Sequence, residues 1–117
     1  MSSTHSANPL VCAAGLANMQ ALIEDGMIEN SKKLGVVFHE QLSLLQKKYS
    51  NYISSVQGIG LLAAVIFTDS HKKPLSELCD LISEKCLQNG LLVVHTGRES
   101  IKLAPPLVIN QEELFRW

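Results

Sequence analysis

The chain predicts an α+β domain, a small antiparallel sheet of about three strands with helices packed on one face, preceded by a long apolar helix. Three observations point there. Apolar residues recur every three or four positions over 34–49 and 75–87, the period of a helix with one buried stripe. Short β-like runs at 61–67, 91–95 and 100–103 are bounded by glycine, asparagine and proline. Residues 9–25 also follow a helical pattern, but their apolar side chains spread around most of the cylinder. At 117 residues there is room for one core and little more.

The first helix has a readable start. Asn8 is a good N-cap, and Pro9 suits the first helical position, where a missing amide proton is no loss. A short chain buries one helical stripe readily, so the excess of apolar surface on this helix implies cover from another domain or subunit. Gly26 ends or kinks it, and Met27-Ile28 opens the second helix. That helix places Leu34, Val37, Phe38, Leu42, Leu45 and Tyr49 on one side and most of its lysines on the other. Gly35 within it costs about 1 kcal/mol relative to alanine.

Gly58-Ile59-Gly60 precedes the strand 61–67 and is expected to allow a bulge or a close backbone approach at its entrance. With Ala63 the two glycines match a dinucleotide-binding spacing. In that motif, however, the glycines follow a strand and open a helix, whereas here they come before the strand. A third helix begins at Pro74 or Ser76 and stops at Asn89-Gly90. The turn Thr96-Gly97-Arg98-Glu99 joins the last two strands, and Pro105-Pro106 ends the ladder. Asn110 and Glu113 form the capping box of a final helix.

Composition removes several classes of function. Ten basic and eleven acidic residues are interspersed for a net charge of −1, which offers no footprint for nucleic acid or an anionic membrane. The uninterrupted apolar run from Leu61 to Phe67 is far short of the roughly 18 residues that cross a bilayer. No basic residue precedes the apolar stretch after Pro9, so it does not read as a secretory signal. Three cysteines without CxxC spacing argue against a disulfide scaffold and fit a reducing, cytoplasmic setting. Cys79 and Cys86, seven apart, belong on the buried side of one helix. His39, His71 and His95 are scattered without metal-ligand spacing.

The chemistry-bearing segment lies before the first helix. Ser3, Thr4 and Ser6 put hydroxyls next to a helix N-terminus, whose free N–H groups and partial positive charge favour an anion such as phosphate. The same residues also suit a plain capped turn.

Three motifs occur in order: Thr4-x-x-x-Asn8-Pro9-Leu10, Gly58-x-Gly60-Leu61 and Leu103-Ala104-Pro105-Pro106-Leu107. By these motifs, over nearly its whole length, the chain resembles the C-terminal part of the class III aminotransferases. These are pyridoxal-phosphate enzymes of fold type I, including the ornithine, 4-aminobutyrate and diaminobutyrate aminotransferases. The resemblance implies a cofactor-phosphate turn and linking helix at 1–26 and a small α+β domain at 27–117, truncated at its last helix. It implies an amino group passed between an amino donor and a 2-oxo acid, in a homodimer with shared active sites.

The resemblance gives Thr4, assisted by Ser3, the role of binding the cofactor phosphate of a neighbouring subunit. Lys102 stands where several relatives carry an arginine that clamps the substrate carboxylate; lysine keeps the charge but loses the planar fork. Arg98, on the adjoining turn, is the candidate to supply that fork. Gln57 likewise stands where relatives often have arginine. The lysine that bonds the cofactor and the acidic partner of its ring belong to a large N-terminal domain outside this sequence, so the isolated chain is expected to be inactive. Two other readings remain, a non-catalytic binding or regulatory module and a degenerate aminotransferase-like structural subunit.

Overall fold

The computed structural model of the chain describes residues 8–116. Helix α1 spans Pro9–Glu24 and α2 spans Met27–Lys48; then come strands β1 (Ile53–Ile59) and β2 (Leu62–Phe67), helix α3 (Ser76–Gln88), strands β3 (Val94–His95) and β4 (Ser100–Leu103), and helix α4 (Gln111–Arg116). The four strands form one antiparallel sheet in the order β1-β2-β4-β3. α2 and α3 lie over the same face. Beneath them Leu34, Phe38 and Leu42 of α2 and Cys79 of α3 close on Ile53, Ala63, Val65, Phe67 and Ile101 of the sheet, with Leu114 of α4 completing the core.

The fourth strand is β1, which the sequence pattern conceals. A register shift between Ile53 and Ser55 inserts an extra residue into the strand. Ile53 and Val56, three apart, therefore both face the helices, and the period-two signal of a half-buried strand disappears. The two glycines belong to a β1–β2 hairpin instead of the entrance of a lone strand, Gly58 near the end of β1 and Gly60 in the turn to β2, both at positive φ, 139° and 58°. A Cβ on Gly58 would lie 2.0 Å from the Leu62 carbonyl oxygen, so only glycine fits.

β3 is shorter than the expected strand over 91–95, for a local reason. Gly90, at φ 84°, closes α3 in a Schellman arrangement: its own N–H donates to the Leu87 carbonyl, and the Leu91 N–H donates to the Cys86 carbonyl. With its amide bound to the helix end, Leu91 is withheld from the ladder, and pairing begins at Val94.

The other caps match their sequence signals. Asn8 Oδ1 accepts from Val11 N at 3.0 Å, with Pro9 opening the helix. Glu113 N donates to Asn110 Oδ1 at 2.9 Å while Asn110 N donates to Glu113 Oε2 at 3.0 Å, the reciprocal box expected there. α1 also behaves as its composition requires, since none of its sixteen residues is buried. Leu10, Leu16 and Ile23 are 80%, 62% and 69% exposed, an apolar surface left without cover by the described residues.

Candidate functional site

Two surfaces of the domain differ in what they can do. On the helix side, a cleft of about 370 Å³ between α2 and α3 is lined by Leu45, Tyr49, Tyr52, Ile53, Phe67, Leu78 and Ile82. It is a packing surface with no group placed to move a proton or hold an ion. The opposite face of the sheet carries polar side chains and no helix of the described residues.

Strand register fixes the layout of that open face. Gln57 pairs with Ala64, Ala64 pairs with Lys102, and Lys102 pairs with Val94, so the four form one row across all four strands. Directly paired residues in an antiparallel ladder project to the same side. Ala63, Val65 and Ile101, the neighbours in sequence, are buried beneath the helices, so the row points away from them. Lys102 and Gln57 are exposed, and among the described residues neither side chain has an ion-pair or hydrogen-bond partner. One row further along the face, Ser55, Ile66 and Ser100 align in the same way.

Arg98 is placed differently. It sits on the β3–β4 turn with its side chain 76% exposed, and its Nε lies 3.3 Å from the Glu99 carboxylate. That turn is further tied by the Thr96 and Ser100 hydroxyls, which hydrogen-bond to each other. On the core side of the sheet His95 Nδ1 lies 2.7 Å from Asp80 of α3, and His95 Nε2 is 3.4 Å from the Arg98 carbonyl oxygen. The structure therefore groups Lys102 with Gln57 rather than with Arg98.

The placement of Gln57 and Lys102 in one row could not be read from sequence, because it depends on the β1–β2 and β2–β4 registers, which bring Ala64 between them. The His95–Asp80 contact likewise joins residues fifteen apart, on different elements. Ser3 and Thr4 lie outside the described residues; the element they precede is the Asn8-capped start of α1. All eight lysines of the chain are exposed. Among the described residues no three His, Cys, Asp or Glu side chains converge as a metal site.

Comparison with known proteins bears on the family and the fold of the chain. Ornithine aminotransferase from Emericella nidulans is 38% identical over 116 residues, which is 97% of this chain and 24% of that protein. Acetylornithine aminotransferase from Archaeoglobus fulgidus is 35% identical over 112 residues, covering 96% of this chain and 26% of its own length. The solved acetylornithine aminotransferase from Elizabethkingia anophelis matches with a TM-score of 0.86 at 34% identity, over 99% of this chain and 29% of that one. The pyridoxamine-phosphate-bound aminotransferase from Vibrio fluvialis, at 24% identity and a TM-score of 0.88, shares the fold. The chain thus spans about a quarter of the length of the curated relatives it matches. Residues 1–116 match the family described as Aminotransferase class-III, and on that match, together with relatives at 35% and 38% identity, the chain belongs to the class III aminotransferases.

Proposed function

We propose that this chain is the cofactor-phosphate turn and C-terminal domain of a pyridoxal-phosphate aminotransferase, working with a large N-terminal domain in a homodimer whose active sites are shared. Residues 1–26 are the turn and linking helix, and 27–117 the small domain. The reaction moves an amino group from an amino donor to a 2-oxo acid. Ornithine and acetylornithine, which appear in the names of relatives at 38% and 35% identity, are the donors this reading favours. The setting is the cytoplasm; among the described residues no helix is long and apolar enough to cross a membrane, although several relatives are mitochondrial proteins.

The observation that carries this reading is α1, sixteen residues long, apolar and unburied, with a hydroxyl-rich segment immediately before its capped start. Such a helix is stable when other protein surrounds it, and its N-terminus suits a phosphate. When bound, pyridoxal phosphate supplies the electron sink that lets the amino group move. The residues of this chain fit the phosphate end of that group and the substrate, and do not fit the aldehyde end. Thr4, assisted by Ser3, donates hydroxyl hydrogen bonds to the phosphate. Lys102 meets the substrate carboxylate from the open face of the sheet. Arg98, engaged with Glu99, serves as a second cation at the rim.

The test uses the complete enzyme and the 117-residue chain side by side. Thr4→Ala is expected to weaken retention of pyridoxal phosphate about tenfold, read by fluorescence titration of the apoenzyme, since a hydrogen bond to a charged group contributes roughly 1.5–3 kcal/mol. The isolated chain, treated with pyridoxal phosphate and borohydride, should give no site-specific lysine adduct by mass spectrometry. Unchanged cofactor affinity in Thr4→Ala, or one trapped lysine in the isolated chain, would overturn the assignment.

A further inference from the structure

The open face of the sheet has a second polar group in the same row as Lys102. Gln57 and Lys102 flank Ala64, two strand spacings and so about 10 Å apart between backbones. Ala64 contributes only a methyl group, which leaves the space above it free. The four-carbon stem of lysine and the shorter arm of glutamine can both lean inward over it. Neither head group is held elsewhere among the described residues, and no aspartate or glutamate belongs to this face. An ammonium on one side and an amide N–H on the other, over a small residue and away from any carboxylate, is a recognition surface for a small anion.

We infer that Gln57 and Lys102 together grip the substrate carboxylate above Ala64, which makes Gln57 a specificity-determining residue of the enzyme. The inference rests on the reading that Lys102 faces substrate and extends it to a residue on another strand. A lone ammonium offers charge without direction. The amide adds a directed N–H donor, so the two groups fix the carboxylate from two sides and partly replace the bidentate geometry of a guanidinium. The selected ligand class is a donor that bears a carboxylate, as opposed to a simple amine.

The experiment compares KM in the complete enzyme for ornithine and for putrescine, which lacks only the carboxylate, with melting temperature as the folding control. Gln57→Ala is expected to raise KM for ornithine about ten- to hundredfold, the loss of one hydrogen bond to a charged group, with kcat near wild type and KM for putrescine unchanged. Gln57→Glu should raise it further by setting a second carboxylate against the first, and Gln57→Lys should lower it. Combined with Lys102→Ala, Gln57→Ala should add less than it does alone, because both groups hold one ligand.

If Lys102→Ala raises KM for ornithine while all three Gln57 variants stay at the wild-type value, Gln57 is a bystander and only this inference falls. Equal losses on ornithine and putrescine would also overturn it, since they would report a structural effect. If neither Lys102→Ala nor any Gln57 variant alters KM for either donor, the carboxylate role of Lys102 falls with it.

Discussion

Gly35 of α2 and Gly60 of the β1–β2 hairpin meet backbone to backbone: a Cβ added to Gly35 would stand 2.5 Å from the Gly60 Cα. Leu61 N donates to Ser31 Oγ at 3.2 Å one helical turn away, so helix and hairpin are tied together as well as close. This reverses the usual sign of a glycine in a helix. On propensity alone Gly35→Ala should stabilise by about 1 kcal/mol. The displaced hairpin should cost more, since overpacking a close contact costs about 1–3 kcal/mol. Gly35→Ala is therefore expected to lower the urea midpoint with little change in slope; a raised midpoint would show that hairpin and helix separate easily.

Asn30 links the start of α2 to the segment leading into α4. Its Nδ2 donates to the Leu107 carbonyl at 2.7 Å and to the Ile109 carbonyl at 3.0 Å. Ile109 and Leu114 are both buried, so this one amide helps to seat the end of the domain. Asn30→Ala removes two hydrogen bonds, each contributing about 0.5–1.5 kcal/mol. Asn30→Asp should be worse at neutral pH, because a carboxylate would face two carbonyl oxygens with nothing to donate. Thermal melts of the two variants check the order; if Asp proves the milder change, the segment does not depend on that contact.

What the sequence revealed follows from how local each signal is. Asn8 with Pro9, Asn89 with Gly90, and Asn110 with Glu113 act within a few residues of themselves, so the caps of α1, α3 and α4 were legible. The strand Ser100–Leu103 was legible from its turn and its prolines. β1 was not, because the irregularity between Ile53 and Ser55 breaks the alternation that marks a half-buried strand. Asn30 reads as an ordinary helix residue until its carbonyl partners, seventy-seven and seventy-nine positions away, are in place. The candidate site divides in the same way. Lys102 is conspicuous beside the Ala104-Pro105-Pro106 motif, whereas its relation to Gln57 passes through Ala64 and exists only once the sheet has formed.

Asp69 organises the loop between β2 and α3. Its Oδ1 accepts from Lys73 N at 2.9 Å and from His71 N at 2.8 Å, around a turn in which Lys72 takes a positive φ of 62°. The Lys73 amide first, joined by the His71 amide and the nearby positive charges, holds its carboxyl below the usual 3.8 against desolvation, which opposes them and ranks second in size. A lowered folded-state pKa means that the contribution to stability is present above the unfolded value and is lost as pH falls through the folded one. Asp69→Asn, which keeps an acceptor but loses the charge, should be less stable than wild type at pH 7, and the gap should close as pH drops below 3.8. Urea titrations of both proteins at neutral and acidic pH check this; a gap that persists in acid would assign the effect to shape instead of charge.

The cysteines report whether α1 is covered. Cys79 is buried, and burial first, with the nearby Asp80 and Glu99 charges, pushes its thiol up, so little reactive thiolate forms there. Cys12 is exposed on the apolar cylinder of α1. In the 117-residue chain, iodoacetamide at pH 8 should label Cys12 quickly and leave Cys79 unmodified until the domain unfolds, as read by peptide mass spectrometry. In the complete enzyme, the domain and subunit proposed to surround α1 should slow labelling of Cys12 by an order of magnitude or more, roughly as closure of a site limits modification to its transient openings. Equal labelling rates in the two proteins would mean that this face of α1 stays open to water in the assembled enzyme. The cover inferred from its exposed leucines would then have to lie on the other side of the helix.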